Sequence, residues 1–359
     1  MTRILGIETS CDETSAAVLR GGGDDATLES LVILSQDVHR IFGGVVPEIA
    51  SRAHLTAIVP VVERALAEAS TTLRGIDAVA VTNTPGLVGA LLVGVSFGKS
   101  VAFARGVPLV GVHHMEGHLF ATALDHAEAV PPFTALLVSG GHTMLLDVEA
   151  WGRYRLLGST RDDAAGEAFD KVAKLLGLPY PGGRHVEALA KEAVGSDLRF
   201  SRPMTRRDQR LGDADFFDMS FSGLKTAVLH AVRDARLASP PPPEHGTDPQ
   251  RALRASIAAA FQDALVDALA EKTYRAAQAF GRARVVLGGG VACNRTLAER
   301  VSERVTSLDA RVYAPSPRLA TDNAAMIARA GLFHLERGDI ASLDLNAYAS
   351  LPLPGLVAA

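Results

Sequence analysis

The sequence predicts an α/β protein of two lobes, and three observations predict it. Strand-like and helix-like hydrophobic patterns alternate along the chain, which is typical of layered α/β folds. A strand–turn–strand pattern with a small, polar turn opens the chain and is found again after Pro131 and Pro132. The length of 359 residues is also more than one hydrophobic core of ordinary size requires.

The first lobe is predicted over residues 1–130. It begins with a hairpin, because two short apolar runs flank the polar segment 9–14. A long helix follows where apolar residues recur every three to four positions. The elements predicted in order are the strands Ile4–Glu8, Ser15–Leu19 and Leu31–Ser35, the helix Pro47–Ala69, the strand Asp77–Val81, the helix Gly86–Arg105, the strand Pro108–Val112 and the helix Met115–Leu124.

The second lobe is predicted over residues 131–359, with a helical insertion and an irregular proline-rich loop at 239–249. Two lobes that each open with a hairpin resemble the duplicated ribonuclease-H-like architecture of the actin- and Hsp70-type (ASKHA) proteins. In that architecture the two hairpin turns contact nucleotide phosphates from opposite sides. The elements predicted in this lobe are the hairpin strands Ala135–Val138 and Thr143–Val148, the strand Arg284–Leu287 and a helix from about Arg295.

Composition excludes several functional classes. The net charge of −4 gives no overall basic surface for a protein that binds nucleic acid unaided. The two cysteines, Cys11 and Cys293, are too few for a disulfide framework, which fits a reducing compartment. No basic and apolar signal segment opens the chain, and the most apolar stretch, Pro85–Phe97, is too short to span a membrane. We therefore expect a cytoplasmic protein.

His114 and His118 are the strongest metal-binding candidates. Residues four apart lie on one face of a helix, so both imidazoles can reach one ion. Such pairs are also common as surface residues, but this pair follows a strand, where α/β folds concentrate their ligand sites. Asp322 is an available third ligand. It follows Thr321 at the start of another predicted helix, so the alternative is that Thr321 caps the helix and Asp322 stabilises its dipole.

The position of Glu116 argues against a zinc protease. In the His-Glu-x-x-His pattern the glutamate follows the first histidine directly and lies beside the metal. Glu116 is two positions after His114, about 200° around the helix, and is expected to face away from the ion.

Glycine-rich turns predict a phosphate or nucleoside site. Gly140 and Gly141, between two strands, let backbone N–H groups approach an anion, although a plain hairpin turn is the alternative. The turn Gly288–Gly290 leads into a helix whose N-terminus suits a phosphate, and Asn294 can add an amide contact. Asp170, expected at the start of a helix, either holds a ribose hydroxyl or favours the helix dipole.

Two further segments contain charged residues that could contact a substrate, one acidic and one basic. Asp12 and Glu13 occupy the first hairpin turn, where they act on an amine or a cation, or are simply solvated. The arginines of segment 199–210 are the best local basic patch for a polyanion, although solvated surface is the alternative.

The order of the motifs is more specific than any one of them. Together they closely resemble the bacterial TsaD family of tRNA N6-adenosine threonylcarbamoyltransferases, from about Arg3 to about Glu336. The matching segments are IETSCDET (7–14), GGVVPEIASR (43–52), TPGLVGAL (84–91), HMEGH (114–118), LVSGGHT (137–143), DDAAGEAFDK (162–171), YPGG (180–183), FSGLKT (221–226), GGGVACN (288–294) and TDNAAMIA (321–328).

The resemblance implies transfer of threonylcarbamoyl from threonylcarbamoyl-AMP to N6 of adenosine 37, in tRNAs that read codons beginning with A. It implies metal ligands at His114, His118 and Asp322, for Fe²⁺ or else Zn²⁺. The expected partners are tRNA, a small TsaB-like paralogue and a TsaE-like ATPase, with a homodimer as an option when the chain is alone. Positions matching substrate contacts are Leu137, Val138, Ser139, Gly140, Gly141, Asp170, Gly183 and Asn294.

The sequence departs from the family pattern in three places. Arg184 stands where we expect proline, Leu319-Ala320 stand where the family often has a cysteine at the second position, and the 239–249 loop looks like an insertion. Asp12 and Glu13 are our candidates for the group that accepts the amine proton. The rival functions are an actin-like regulatory ATPase and a metalloprotease, which the offset of Glu116 disfavours.

Overall fold

The computed structural model describes residues 1–22, 25–206, 208–237 and 250–357. Two compact units divide these residues, and each is described by itself. Unit 1 comprises Met1–Val130 and Pro315–Leu356, and unit 2 comprises Pro131–Ala314 with Val357. Residues 315–356 were expected in the second lobe, 131–359, but belong to unit 1. The predicted proline-rich loop at 239–249 lies outside the described residues.

Unit 1 is built on a five-stranded sheet of order β3-β2-β1-β4-β5. The first three strands are antiparallel neighbours, and β1, β4 and β5 run parallel. The strands are β1 (Thr2–Glu8), β2 (Glu13–Gly22), β3 (Asp25–Ser35), β4 (Ala78–Thr84) and β5 (Leu109–His113), and the helices are α1 (Pro47–Glu68), α2 (Val88–Arg105) and α3 (His114–Asp125).

Unit 2 repeats this topology. Its sheet has the order β10-β9-β6-β7-β8, in which β6, β7 and β8 are antiparallel and β6, β9 and β10 are parallel. The strands are β6 (Phe133–Val138), β7 (Thr143–Ala150), β8 (Arg153–Ser159), β9 (Arg284–Gly288) and β10 (Arg311–Tyr313), and the helices are α4 (Ala165–Leu175), α5 (Gly183–Ala190), α6 (Ser222–Asp234), α7 (Arg251–Phe280) and α8 (Arg295–Val305). The repeat confirms the predicted duplicated ribonuclease-H-like fold.

The last part of unit 1 contains two helices, α9 (Pro317–Ala320) and α10 (Ala324–Glu336). Small residues let α10 approach the first sheet closely. A Cβ on Gly6 of β1 would lie 2.4 Å from the carbonyl oxygen of Ala324, and one on Gly331 would lie 2.4 Å from Cβ of Ala80. Close packing on β1 and β4 explains why this late segment belongs to unit 1. No local sequence pattern predicts this contact.

One described helix, α2, is long and apolar enough to cross a membrane by length and composition alone. Buried core helices pass the same test. A Cβ on Gly98 of α2 would lie 2.3 Å from Cγ1 of Val81, so the helix packs tightly on β4. Leu91 and Val95 of α2 are also buried in the core of unit 1, which is the buried helix that the sequence predicts.

Candidate metal centre and glycine turns

The two histidines lie where β5 passes directly into α3. His113 ends the strand and accepts a hydrogen bond through Nδ1 from the N–H of Met115, which caps the new helix. His114 is therefore the first residue of α3 and His118 lies one turn later. Their ring centroids are 4.8 Å apart and the rings are nearly perpendicular. Both side chains are buried, so the pair faces the interior of unit 1.

Asp322 completes a group of three ligands. It lies between α9 and α10, with its Oδ1 atom 3.4 Å from Nε2 of His114 and 3.3 Å from Nε2 of His118. One donor atom from each residue lies within 4.8 Å of the others. Residues from distant parts of the chain thus converge as two imidazoles and one carboxylate, a donor set that suits Fe²⁺ or Zn²⁺.

The surroundings of this group fit a cation. Both ring nitrogens of His118 are buried, and within the described ranges neither makes a hydrogen bond of good geometry, although Oδ1 of Asp322 lies 3.3 Å from Nε2. A buried polar atom without a partner is costly, and a metal ion on Nε2 would remove that cost for this nitrogen. Burial alone would raise the pKa of Asp322, but the positive charge of His114 and contacts with both histidines lower it far below its ordinary value. The carboxylate is therefore ionised and able to bind a metal.

Sequence reasoning missed a second carboxylate beside this group. Glu8 ends β1 and is fully buried, with Oε2 3.1 Å from Nδ1 of His114. Burial would lower the pKa of His114, but the charges of Asp322 and Glu8 outweigh burial and raise it well above its usual value. The motif Ile-Glu-Thr-Ser contained Glu8, and its position at the end of a parallel strand was the available signal.

Glu116 lies away from the metal group, as the helix geometry predicts. Its carboxylate is fully buried and its Oε2 atom is 2.8 Å from Nε2 of His334, on α10. Nδ1 of His334 is 3.0 Å from Oδ2 of Asp339. Because the carboxylate of Glu116 contacts His334 and lies away from the metal group, it cannot serve as the general base that a zinc protease needs.

The first hairpin turn is held by a buried histidine. His54 of α1 donates from Nε2 to the carbonyl of Cys11 at 2.9 Å and accepts from the hydroxyl of Thr14 at 2.7 Å. Between these anchors lie Asp12, in the turn, and Glu13, which is the first residue of β2. Burial, the neighbouring charge of Asp12 and other acids raise the pKa of Glu13 well above its ordinary value.

Two expectations about helix starts are wrong. Asn323 caps α10, because its Oδ1 accepts a hydrogen bond from the N–H of Met326 at 3.1 Å. Thr321 is therefore not the cap, and Asp322 lies before the helix and not in its first turn. Asp170 lies in the middle of α4 and not at its start. Both errors arise because hydrophobic periodicity places helix boundaries less well than the capping bonds do.

The glycines of unit 2 fall into two groups. A Cβ on Gly166 or Gly289 would lie 2.4 or 2.5 Å from a backbone carbonyl oxygen, so close packing requires those glycines. A Cβ on Gly140, Gly141 or Gly183 would meet no atom within 4 Å. The second group faces open space, and all three of its glycines are predicted substrate contacts. Leu137 and Val138 are buried in β6, so only their backbone is available to a ligand.

Asp170 and Asn294 have partners inside unit 2. Oδ1 of Asp170 accepts a hydrogen bond from the N–H of Gly182 at 2.7 Å and so fixes the turn before α5. The side chain of Asn294 caps α8 through Oδ1 and donates one amide hydrogen to Oε1 of Gln262 at 2.9 Å. Ser139 accepts a hydrogen bond through Oγ from the N–H of His142 at 3.1 Å, which closes the glycine turn. These three residues therefore shape the turns as well as lining them.

Acidic residues partly neutralise the predicted basic patch at 199–210. Arg202 pairs with Asp263 and Asp267, which lie on α7. Arg206 lies 3.6 Å from Asp215. Arg207 lies outside the described residues, so the patch as a whole stays a prediction.

Comparison with known proteins identifies the family of this chain. A family model described as TsaD, tRNA N6-adenosine threonylcarbamoyltransferase, matches residues 27–329. The chain belongs to the TsaD family. A curated relative of that name from Gemmatimonas aurantiaca is 63% identical over 99% of this chain and 98% of its own length. Another, from Anaeromyxobacter dehalogenans, is 50% identical over 97% of this chain and 98% of its own.

The likeness to solved structures concerns the fold. Component A of (R)-2-hydroxyglutaryl-CoA dehydratase from Acidaminococcus fermentans matches with a TM-score of 0.51 and 15% identity, covering 94% of this chain and all of that one. Membership of the TsaD family confirms the resemblance inferred from the motifs, and the family's description is that of an acyltransferase acting on tRNA.

Proposed function

We propose that this chain transfers the threonylcarbamoyl group of threonylcarbamoyl-AMP to N6 of adenosine 37, in tRNAs that read codons beginning with A. Membership of the TsaD family carries the proposal. In the reaction N6 attacks the carbamoyl carbon, a C–N bond forms, the C–O bond to the phosphate breaks and AMP leaves. The amine also loses one proton. The donor is already a mixed anhydride, so the reaction requires no protein nucleophile.

The metal centre of unit 1 is the first part of the machinery. His114, His118 and Asp322 would hold one divalent ion, Fe²⁺ in our proposal and Zn²⁺ as the alternative, because two imidazoles and a carboxylate suit both. Such an ion supplies positive charge that can anchor a phosphate or polarise a carbonyl. The buried Nε2 atom of His118, which makes no hydrogen bond of good geometry but lies 3.3 Å from Oδ1 of Asp322, supports this assignment.

The glycine turns of unit 2 are the second part. We assign the adenylate contacts to the backbone of Leu137–Gly141 and to Asp170, Gly183 and Asn294. Open space beside Gly140, Gly141 and Gly183 supports close approach of a ligand to the backbone there. Asp170 and Asn294 also hold the local turn geometry, so their contribution includes preorganisation.

The hairpin turn of unit 1 supplies our candidates for the proton acceptor, Asp12 and Glu13. A carboxylate whose pKa is raised accepts a proton more readily, and burial with its acidic neighbours has this effect on Glu13. The anchoring of the turn by His54 would keep the two acids in place. Slower transfer by Glu13→Gln, with unchanged adenylate binding, would separate this role from a binding role.

The partners in this proposal are tRNA, a TsaB-like paralogue and a TsaE-like ATPase, in the cytoplasm. An open apolar groove of about 390 Å³ runs between α1 and α2, and exposed Leu55 and Leu92 help to line it. Exposed apolar surfaces of this kind mark interaction sites. We assign the groove to the paralogue. Light scattering of the chain alone and with the paralogue would show whether a second copy occupies it when the partner is missing.

Reconstitution with the partner proteins, the separate enzyme that makes threonylcarbamoyl-AMP, tRNA, threonine, bicarbonate and ATP tests the proposal, with modified adenosine measured by mass spectrometry. Native protein should modify the tRNA, and Glu116→Gln should do so as well, because that carboxylate pairs with His334. ATP turnover without modified adenosine would favour a regulatory ATPase. Cleavage of a glycoprotein by the pure, metal-loaded protein would favour the protease reading.

A further inference from the structure

Glu8 is a buried carboxylate to which the proposed function assigns no role. It is fully buried at the carboxyl end of β1. Its Oε1 atom accepts a hydrogen bond from the N–H of Ser10 at 2.5 Å, and its Oε2 atom accepts one from the hydroxyl of Thr82 at 2.6 Å. Oε2 also lies 3.1 Å from Nδ1 of His114. A buried carboxylate with this many partners is held in one orientation.

The sheet topology brings these groups together. Parallel pairing of β1 with β4 sets Ile7 opposite Val81, so Glu8 and Thr82 lie side by side where both strands end. His114 follows β5, which pairs with β4 in the same parallel direction. The carboxyl ends of three neighbouring strands therefore bring together the carboxylate of Glu8, the hydroxyl of Thr82 and the imidazole of His114.

The contacts of Glu8 define which nitrogen of His114 carries hydrogen. An ionised carboxylate only accepts hydrogen bonds, so Nδ1 of His114 must donate to it. The other nitrogen, Nε2, lies 3.4 Å from Oδ1 of Asp322 and is the one presented to the metal group. Ser10 Oγ also lies 3.2 Å from Nδ1 and is the competing partner.

We propose that Glu8 is a positioning residue of the metal centre, which fixes the ring of His114 with Nδ1 protonated and Nε2 directed at the ion. The inference rests on the proposed metal function of His114, His118 and Asp322. A carboxylate behind a ligating histidine orients the ring and increases its basicity, and losing such a partner typically weakens metal binding by about 10- to 100-fold.

The substitution Glu8→Gln tests this role, because glutamine has the same shape but only one acceptor oxygen. Three groups donate to Glu8: the N–H of Ser10 donates to Oε1, and the hydroxyl of Thr82 and Nδ1–H of His114 donate to Oε2. If the amide nitrogen faces His114, it donates to Nδ1 and favours the His114 tautomer with hydrogen on Nε2. That hydrogen then occupies the position where Nε2 would bind the metal. If it faces Ser10, two donors are opposed and the negative charge is lost. Both outcomes lower metal affinity.

Glu116→Gln is the matched control. Glu116 is equally buried, lies on the same helix as His114 and His118 and also contacts a histidine, but that histidine is His334. Ser10→Ala is the second control, because it removes the competing hydroxyl and leaves the backbone N–H that Glu8 accepts. Both controls should keep the native metal affinity, while urea unfolding of the metal-free proteins reports how far each change affects the fold.

The measurement is the dissociation constant for Co²⁺, followed by its visible absorption and by competition with Zn²⁺. We expect Glu8→Gln to weaken binding by about 10- to 100-fold. An affinity equal to the native value would overturn the role of Glu8 and leave the proposed function intact. Absence of Co²⁺ and Zn²⁺ binding by the native protein would instead refute the metal centre.

A second measurement needs no variant. In native protein loaded with Zn²⁺ and labelled with ¹⁵N at histidine, we expect His114 to show a protonated Nδ1 and a metal-bound Nε2. The ¹⁵N shifts distinguish the two ring nitrogens, so metal on Nδ1, or hydrogen on Nε2, would overturn the inference even if Glu8→Gln failed to fold.

Discussion

We predict that alanine substitution at two adjacent glycines, Gly182 and Gly183, changes stability in opposite directions. A Cβ on Gly182 would lie 2.3 Å from Cβ of Ala173 and 3.0 Å from Cα of Asp170, both on α4. A Cβ on Gly183 would meet no atom within 4 Å. The same added methyl group therefore meets packed core at one position and open space at the next.

The magnitudes follow from these surroundings. Forcing a methyl group into packed surroundings costs about 1–3 kcal/mol, so Gly182→Ala should lower the free energy of unfolding by that amount. Gly183 opens α5, and replacing glycine by alanine at a compatible position stabilises by about 0.4–1 kcal/mol through the unfolded chain. If the open space beside Gly183 receives the adenylate, the added methyl group should weaken adenylate binding about tenfold, or about 1.4 kcal/mol.

Urea unfolding and calorimetric titration with AMP measure the two effects separately. Gly183→Ala should unfold at higher urea than native protein and bind AMP more weakly. Gly182→Ala should unfold at lower urea. Native AMP affinity in Gly183→Ala would refute the assignment of that space to the ligand, and equal stability of the two variants would refute the packing argument.

Three further predictions concern stability and reactivity. Asn323→Ala should lower the unfolding free energy by about 1 kcal/mol, because Asn323 caps α10, whereas Thr321→Ala should change it by less than about 0.5 kcal/mol in the same urea titration. Burial would lower the pKa of His334, but its hydrogen bond with Glu116 and nearby negative charge raise it. Protonated His334 therefore stabilises the folded state. This contribution to the free energy of unfolding is complete below about pH 6.5 and is lost as pH rises through the higher folded-state pKa, so His334→Gln should lack this part of the pH dependence in urea unfolding. Partial burial and acidic neighbours raise the pKa of the Cys11 thiol, so iodoacetamide at pH 8 should alkylate it far more slowly in folded than in urea-unfolded protein, and equal rates would contradict the raised pKa.

Local patterns predicted much of the fold. The helix carrying the histidines was expected at Met115–Leu124 and is His114–Asp125, and the helix expected at Pro47–Ala69 is Pro47–Glu68. Hydrophobic periodicity and turn residues are local properties, so one sequence suffices to read them. The repeated hairpins then predicted the duplicated fold.

Contacts between distant segments were harder to predict. The return of residues 315–356 to unit 1 depends on close packing of α10 at Gly6 and Gly331, which no hydrophobic pattern signals. The role of Glu8 arises from three strands that end together. Asp170 lies within α4, and its bond to the N–H of Gly182 joins two segments that no local pattern relates. Motif resemblance, and not spacing alone, linked Asp322 to the histidine pair.

A single-turnover transfer assay tests the central claim most directly. Preformed threonylcarbamoyl-AMP, unmodified tRNA and the partner proteins are mixed with native protein or with the double variant His114→Ala and His118→Ala, and modified adenosine is measured by mass spectrometry. Native protein should transfer the group, and the double variant should be slower by about 100-fold or more, the scale of losing a charge-stabilising group. Transfer at the native rate by the double variant would contradict the account.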